Sequence, residues 1–488
     1  MAITTLILLV CGCNQKKESS ETTRTSLKPQ LKLAHQISLG NVAPDNIPEV
    51  TKENWSFGVP YTKPVLAPDG KSVLVVEQAK MTMYDTATGR KIWEKPTYGG
   101  IDNYWVSGDR IYLTEKYGNK REKEHGYLIC LDRKSGDELW RYDVNKDLLP
   151  LVQKYKPADA QVSICCYIKF SVYDNYVFVD GYTTWAAGKS NDRVEVLLCL
   201  GEDGKCNWKV ESHGYPGIYS LSKMQVINGK LVMGTYSYGD NINGPAYVHA
   251  YDIKTGKELW KFYVEHDDEL AYKETTSVNA GVVGDKVVAV ANFGKVYVLD
   301  ENGKKINEFV AFKPVKHNEY TICTNVWESS VDFGKNVLIL APQKTNVKGV
   351  TQYYAKAPVE HPDAGSVMVY DLNGNLQWKF RLGGNVTNML VRGRYLLLGT
   401  SHNQDNLDYS YCGVYAFDLS QKGEGSELKA TEQSVLEKYI DYYQTDGAIL
   451  WDSMGVSDDG KVICATTWPT RVGTEKHGQH ILYILKME

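Results

Sequence analysis

The sequence predicts an all-β fold, an eight-bladed β-propeller of four-stranded blades, on three observations. The first is a repeat. Residues 247–260, YVHAYDIKTGKELW, return as MTMYDTATGRKIW, YLICLDRKSGDELW, VLLCLGEDGKCNW and VMVYDLNGNLQW, with the turn glycine always four residues ahead of the closing tryptophan (Gly89/Trp93, Gly136/Trp140, Gly204/Trp208, Gly256/Trp260, Gly374/Trp378). Alternating β-branched and aromatic residues, then turn chemistry with a glycine suited to φ > 0, then a second strand, describe a β-hairpin. Two copies are worn: VYVLDENGKKIN has Asn307 in the tryptophan's place, and VYAFDLSQKGEGS has lost the turn's form. Successive glycines from Gly89 to Gly374, counting Gly303, lie 47, 68, 52, 47 and 71 residues apart, a period of array type with insertions.

The second observation is that each hairpin follows two short strands around a tight turn, as in KPVLAPDGKSVLVVEQ. The comparable openings are SGDRIYLTE, YDNYVFVDG, INGKLVMGT, VGDKVVAVA, FGKNVLILA, RGRYLLLGT and SDDGKVICA, which makes eight units. The third concerns the ends. The last unit stops one strand short at HILYILKME, and a lone strand, LKLAHQISL, precedes the first unit. Pairing the two closes the ring and leaves no free edge there.

In chain order, residues 1–12 read as a lipoprotein signal peptide: a short apolar run ends in Val10-Cys11-Gly12-Cys13, with Cys13 as the lipidated residue. Residues 13–30 are polar and aperiodic, a flexible tether, and residues 31–488 form the propeller. Strands dominate throughout. The one helix predicted covers 434–444, where Val435, Leu436, Tyr439 and Tyr443 fall at helical spacing. No run of 18 apolar residues marks a transmembrane helix.

The chain of 488 residues has a formal net charge of −4, which argues against a nucleic-acid partner, since that requires a basic surface. Export makes disulfides chemically permissible, but the cysteines are irregularly spaced. Cys199 and Cys206, on opposite limbs of one hairpin, are placed to bridge it. No CxxC or HxxxH spacing marks a metal site.

The hairpin YDxxTGxxxW resembles the tryptophan-docking repeat of the PQQ-like propeller superfamily, which includes quinoprotein dehydrogenases and the outer-membrane assembly lipoprotein BamB. The resemblance covers about 450 residues and implies the fold. It leaves the activity open, because this repeat serves binding, scaffold and redox proteins alike.

With blade strands lettered A to D outward from the axis, A–B and C–D turns share one face, and B–C and D–A connections share the other. The insertions at 116–126, 145–163, 181–193, 236–245, 266–275, 313–325, 342–365, 402–412, 422–447 and 467–478 are assigned to the B–C/D–A face. Binding is expected there. His213, His266 and His317, leaving successive D strands, are the candidate acid–base groups. Trp185, Tyr215, Tyr320, Trp327, Trp451 and Trp468 are the candidate ligand-binding rings. Asp102-Asn103, Asn325 with Glu328, Asn385 with Asn388, and Asp452 begin A strands. They suit either a hard cation such as Ca²⁺ or a water-filled channel.

The resulting expectation is a monomeric, lipid-anchored protein of the bacterial cell envelope that binds an envelope protein or a glycan through its long-loop face, with no resident cofactor. Two enzyme readings stand beside it. One is a glycan lyase or hydrolase that uses a loop His and Tyr, with Lys189, Arg193 or Arg471 lowering the tyrosine pKa. The other is a PQQ- and Ca²⁺-dependent dehydrogenase, for which the family resemblance implies a vicinal disulfide at Cys165 and Cys166 beside the cofactor.

Overall fold

A computed structural model describes residues 29–49, 62–77, 80–97, 100–117, 125–160, 162–187, 190–214, 224–235, 246–271, 276–326, 331–334, 336–342, 344–349, 357–382, 384–402, 412–420, 427–429, 440–472 and 474–488. The predicted leader and most of the tether, with Cys13, lie outside them, as do Tyr215 and Trp327.

The chain is a β-propeller. Among the described residues, eight sheets, each with four antiparallel strands, follow one another, the eighth completed by a strand from the other end of the chain. Sheet 1 holds Lys63–Leu66, Ser72–Val76, Lys80–Asp85 and Lys91–Pro96, and sheet 2 holds Gly100–Ser107, Arg110–Tyr117, His125–Asp132 and Glu138–Asp143. Sheet 3 holds Val162–Tyr173, Tyr176–Ala187, Ser190–Leu200 and Cys206–His213, and sheet 4 holds Gln225–Ile227, Lys230–Gly234, Ala246–Asp252 and Glu258–Val264. Sheet 5 holds Val278–Val283, Lys286–Ala291, Lys295–Leu299 and Lys305–Val310, and sheet 6 holds Val331–Phe333, Leu338–Leu340, Ser366–Tyr370 and Leu376–Arg381. Sheet 7 holds Asn385–Arg392, Tyr395–Ser401, Gly413–Asp418 and Ile440–Gln444. Sheet 8 is Ala448–Val456, Val462–Trp468 and Ile481–Met487, with Leu31–Ser38 from the other end of the chain paired antiparallel to Ile481–Met487.

The core lies between sheets. Strands such as Ser72–Val76 (SVLVV) are apolar on both faces. Leu74 and Val76 pack toward sheet 2, while Val73 and Val75 pack toward sheet 8 against Cys464, Leu482 and Ile484. A period of two with both phases apolar is what a strand between two neighbours requires.

Each hairpin is a joint. The indole N–H of Trp93 donates to the Arg133 carbonyl (2.9 Å), that of Trp140 to Glu202 (2.7 Å), that of Trp208 to Ile253 (2.9 Å) and that of Trp260 to Glu301 (2.9 Å). In every case the acceptor lies in the next sheet's C–D turn. The ring lies flat on that turn's glycine: a Cβ on Gly303, which has φ +79°, would stand 2.6 Å from the Trp260 ring. The glycine therefore supplies both a left-handed backbone and an empty space.

Two expectations on secondary structure are corrected. Residues 440–444, predicted helical, form the fourth strand of sheet 7, paired with Gly413–Asp418. The open edge of a neighbouring strand outcompetes five residues of helical spacing, and β-branched and aromatic residues suit it; residues 430–439 lie outside the described set. A helix forms instead at Asn145–Tyr155, inside a predicted loop, where Leu148, Leu151 and Val152 pack onto the core between sheets 2 and 3. The helix keeps Pro150 within it, and its apolar residues fall three and four apart, the spacing that turns one face to the core.

Two expectations on connections change as well. The stretch 181–193 is an extension of a hairpin, with pairing continuing to Ala187 opposite Ser190. The insertion of sheet 7 joins strands C and D, so it leaves from the tight-turn face. Its residues Glu427–Lys429 run parallel to Leu376–Arg381 as a fifth strand on sheet 6.

Candidate functional site

Two structures rise from the long-loop face. Connections of sheet 6 build a three-stranded sheet, Val315–His317, Tyr320–Asn325 and Lys344–Val347, and sheet 8 adds the hairpin Thr470–Val472 with Glu475–His477. His317 and Tyr320 face each other across a tight tip with Asn318 at φ +52°. Tyr320 is 39% exposed, a ring held out to solvent on a rigid ladder.

The long hairpin of sheet 3 carries a second feature. Trp185 and Asp192 are opposite one another across its strands, and His213 ends the neighbouring strand opposite Val194. His213 Nε2 lies 2.9 Å from Asp192 Oδ2. The imidazole stacks on Tyr155 at the end of the helix, with centroids 4.1 Å apart and planes 8° apart, and lies nearly parallel to Trp185 at 6.2 Å. Lys154 Nζ sits 4.8 Å from the Tyr155 ring centre. Asp192 fixes the ring orientation of His213 and leaves Nδ1 as its second proton site. Trp185 is fully buried, and its indole nitrogen has no hydrogen-bond partner among the described residues.

The other face of this hairpin holds buried charge. Arg193 and Glu195 are both fully buried, with Nε and Oε1 2.5 Å apart, and Asp180 is buried on the adjacent strand. Across the gap in sheet 4, Tyr251 has its phenol pKa raised by burial first, then by Glu258, Asp180 and Glu195. His249, 2.8 Å from Glu258, has its pKa lowered by burial, with Glu258 opposing. Arg193 is thus part of an interior ion pair, with its guanidinium carbon 5.9 Å from the Tyr182 ring centre on the adjacent strand.

His266 forms a third feature. Its Nδ1 lies 3.0 Å from Thr276 Oγ1 and its ring meets Phe293 edge-on at 6.0 Å. Beside it Ser277, Asn279, Asn292 and Asn325 are all buried, and the Asn292 side chain accepts from the Ser277 N–H (3.2 Å). Both side-chain polar atoms of Asn279 lack a protein partner, the usual setting for internal water. The three candidate histidines therefore have separate partners, and no contact joins them among the described residues.

Of the remaining candidates, Trp468 packs on Cys412, Ala448 and Leu450 and donates to the Asn46 carbonyl (3.1 Å), so its ring is structural. Trp451 is half-buried at the start of sheet 8. The polar residues of the A strands tie sheets together. Asn103 donates to the Ile168 carbonyl (2.8 Å), Asn388 to the Leu450 carbonyl (2.7 Å), and Asp452 meets Lys63 (3.1 Å). Asp102 and Glu328 lie outside the described side chains. Cys199 and Cys206 are free thiols, so the proposed hairpin bridge is not formed; the register places Trp208, not Cys206, opposite Cys199. The residues that sequence reasoning missed are Asp192, Tyr155 and the buried Asp180 and Glu195. Their partners are brought in from other strands and from the unpredicted helix.

These features define a propeller of PQQ-like repeats with an elaborated face. Residues 45–142 and 172–421 match the family model described as outer membrane protein assembly factor BamB, well over half the chain, and the chain belongs to that family. It is also similar to two quinohemoprotein alcohol dehydrogenases of Pseudomonas putida. ADH-IIG is 26% identical over 192 residues, 38% of this chain and 23% of that enzyme. ADH IIB is 31% identical over 150 residues, 30% of this chain and 19% of that enzyme. The chain thus spans less than a quarter of either enzyme's length. Among solved structures, the quinohemoprotein alcohol dehydrogenase of Comamonas testosteroni aligns with TM-score 0.52 at 12% identity, over 93% of this chain and 76% of that one. At this identity the likeness shows the fold alone.

Those enzymes' names raise the question of a quinone cofactor. Cys166, the member of the vicinal pair whose side chain is described, has φ +50° at an irregularity in Val162–Tyr173 and is fully buried in the core between sheets 2 and 3. Its sulfur lies over Gly126, where a Cβ would come within 2.4 Å. The Cys166 sulfur is thus part of the packing between sheets 2 and 3, and the Cys165 side chain lies outside the described residues.

Proposed function

We propose that this protein is a lipid-anchored binding module of the bacterial cell envelope, engaging a partner protein through its long-loop face, with Cys13 as the lipidated residue. The observation that carries this reading is the three-stranded sheet raised on that face, which holds His317 and Tyr320 out on a paired ladder. Exposed tyrosine on a rigid support is a common anchor for protein partners. Membership of an assembly-factor family supports the same reading. The paired rings of sheet 3 are packed against one another and the helix, so they support the scaffold more than they offer a platform to a sugar.

Photo-crosslinking in intact cells tests this. With p-benzoyl-phenylalanine at Tyr320, a protein adduct of discrete mass is expected, and none with the same group at Asp285 in a tight turn of the opposite face. Adducts of equal yield at both positions count against the assignment. Alcohol-dependent dye reduction after loading with PQQ and Ca²⁺, or release of product from a polysaccharide, would replace it with an enzyme.

A further inference from the structure

We infer that the tight-turn face is a docking surface for a lipid bilayer, an inference that rests on the lipid-anchor reading of Cys13. Two observations carry it. The first is where the chain enters. Gln30 and Leu31 begin the outer strand of sheet 8 beside the end of the preceding strand: Gln30 and Glu488 exchange backbone hydrogen bonds (3.4 and 3.0 Å), and Met487 N–H donates to Lys461 in the A–B turn (2.8 Å). The segment that carries Cys13 therefore joins the propeller on the tight-turn face. A random coil of the 18 residues from Cys13 to Gln30 would have a root-mean-square span of roughly 20–25 Å, which would keep that face within reach of the membrane.

The second observation is how exposed apolar side chains sort. Leu33 (42% exposed), Ile92 (49%), Leu139 (50%), Tyr173 (42%), Leu259 (42%) and Ile306 (54%) come from sheets 8, 1, 2, 3, 4 and 5, six neighbours in the ring. Tyr173 closes the A–B turn of sheet 3, and the other five lie within the first three residues of an outer strand. All six are thus at the tight-turn end. Among the described residues, the other exposed large apolar side chains, Leu149, Tyr155, Tyr263 and Tyr320, lie toward the other end. Single exposed aliphatics are ordinary, but five near the start of outer strands, on sheets 8, 1, 2, 4 and 5, make an apolar arc on the rim, with Tyr173 set inward on the first strand of sheet 3. Lys32, Lys91 and Lys305 flank Leu33, Ile92 and Ile306; their ammonium groups pair with Glu488, Glu94 (3.0 Å) and Glu308 (2.6 Å) on the protein surface, so apolar burial and not lysine–phosphate pairing is the main attraction to the bilayer. The arc stops at sheets 6 and 7, where the insertion of sheet 7 leaves the same face.

The test uses the full-length protein as made in cells, reconstituted with phosphatidylethanolamine/phosphatidylglycerol vesicles. It carries Ile306→p-benzoyl-phenylalanine or, separately, Tyr320→p-benzoyl-phenylalanine. Phospholipid adducts are expected at position 306 with a yield at least about fivefold above position 320, as burial at the headgroup boundary requires. Similar yields at the two positions overturn the docking surface, and so does a protein–protein adduct at 306, which would mean a second copy covers the arc. Cys13→Ala separates the two readings. If wild type floats with vesicles, Cys13→Ala does not, and 306 and 320 react alike, the anchor stands and the docking fails. If Cys13→Ala keeps the preferential adduct at 306, the docking stands and the anchor reading fails.

Discussion

The joint between sheets 4 and 5 and the joint between sheets 5 and 6 follow one plan with different residues. In the first, Trp260 does two jobs: its N–H donates to the Glu301 carbonyl and its ring covers Gly303. In the second the jobs are divided. Asn307 donates to the Leu372 carbonyl (2.9 Å), and Phe309, two residues on, lays its ring over Gly374, 2.8 Å from where a Cβ would be. The closing joint between sheets 8 and 1 is a third version. His35 lies on Gly89, at 3.0 Å from its would-be Cβ, with Nε2 2.8 Å from the Ala87 carbonyl. What is constant is a ring on a left-handed glycine and a polar tie to the carbonyl before it, so the repeat specifies a contact rather than a residue.

The largest expected effect comes from removing both jobs at once. Trp260→Ala should cost about 3 kcal/mol, the low end for tryptophan because the ring is half-buried. Gly303→Ala should be nearly as harmful, since the new methyl meets the ring and the φ is unfavourable to any L side chain. The pair must then be strongly non-additive. In Trp260→Ala protein the second change should cost only about 1 kcal/mol, the backbone part. Additive losses in urea titration would mean that the ring and the glycine are not one contact.

Next comes the closing seam, which differs from the tryptophan joints in carrying groups that titrate. His480 of sheet 8 meets Thr62 ahead of sheet 1 (Nε2 to Oγ1, 2.8 Å), and burial pushes its pKa from 6.5 to about 4. The unfolded chain therefore binds a proton that the folded chain refuses, and stability falls as pH drops from about 6.5 toward 4, with no contribution above that window. The full effect is roughly 3 kcal/mol. His249 and His361 shift the same way by burial, so the seam is reported by the difference between proteins. His480→Gln should lose markedly less melting temperature than wild type between pH 7 and pH 5, and equal slopes would remove His480 from the account.

The joints also show what the sequence made readable. The constant spacing of Gly256 and Trp260 and their counterparts exposed the repeat, and with it the strand order and the pairing of both chain ends. His35 and Phe309 escaped notice because a pattern built on identity cannot see a role filled by another ring or from another position. The candidate site was less legible for the same physical reason. His213 and Trp185 stand out as residue types, but Asp192 and Tyr155 become partners only after a hairpin extends and a helix folds back across 58 residues of chain. Spacing along a sequence reports local periodicity, and these contacts are set by packing.

The smallest effect sharpens the comparison most. If the jobs are divided at the joint of sheets 5 and 6, truncations there must separate what they share at Trp260. Phe309→Ala removes a half-buried ring that also packs on Tyr370 (5.5 Å) and should cost about 2 kcal/mol. Asn307→Ala removes one partly solvated hydrogen bond and should cost about 1 kcal/mol or less. Because the two side chains act on different atoms of the same turn, the double variant should lose close to the sum, unlike the Trp260 and Gly303 pair. A loss at Asn307 as large as that at Trp260 would mean that the carbonyl tie, and not the ring on the glycine, holds neighbouring sheets together throughout the propeller.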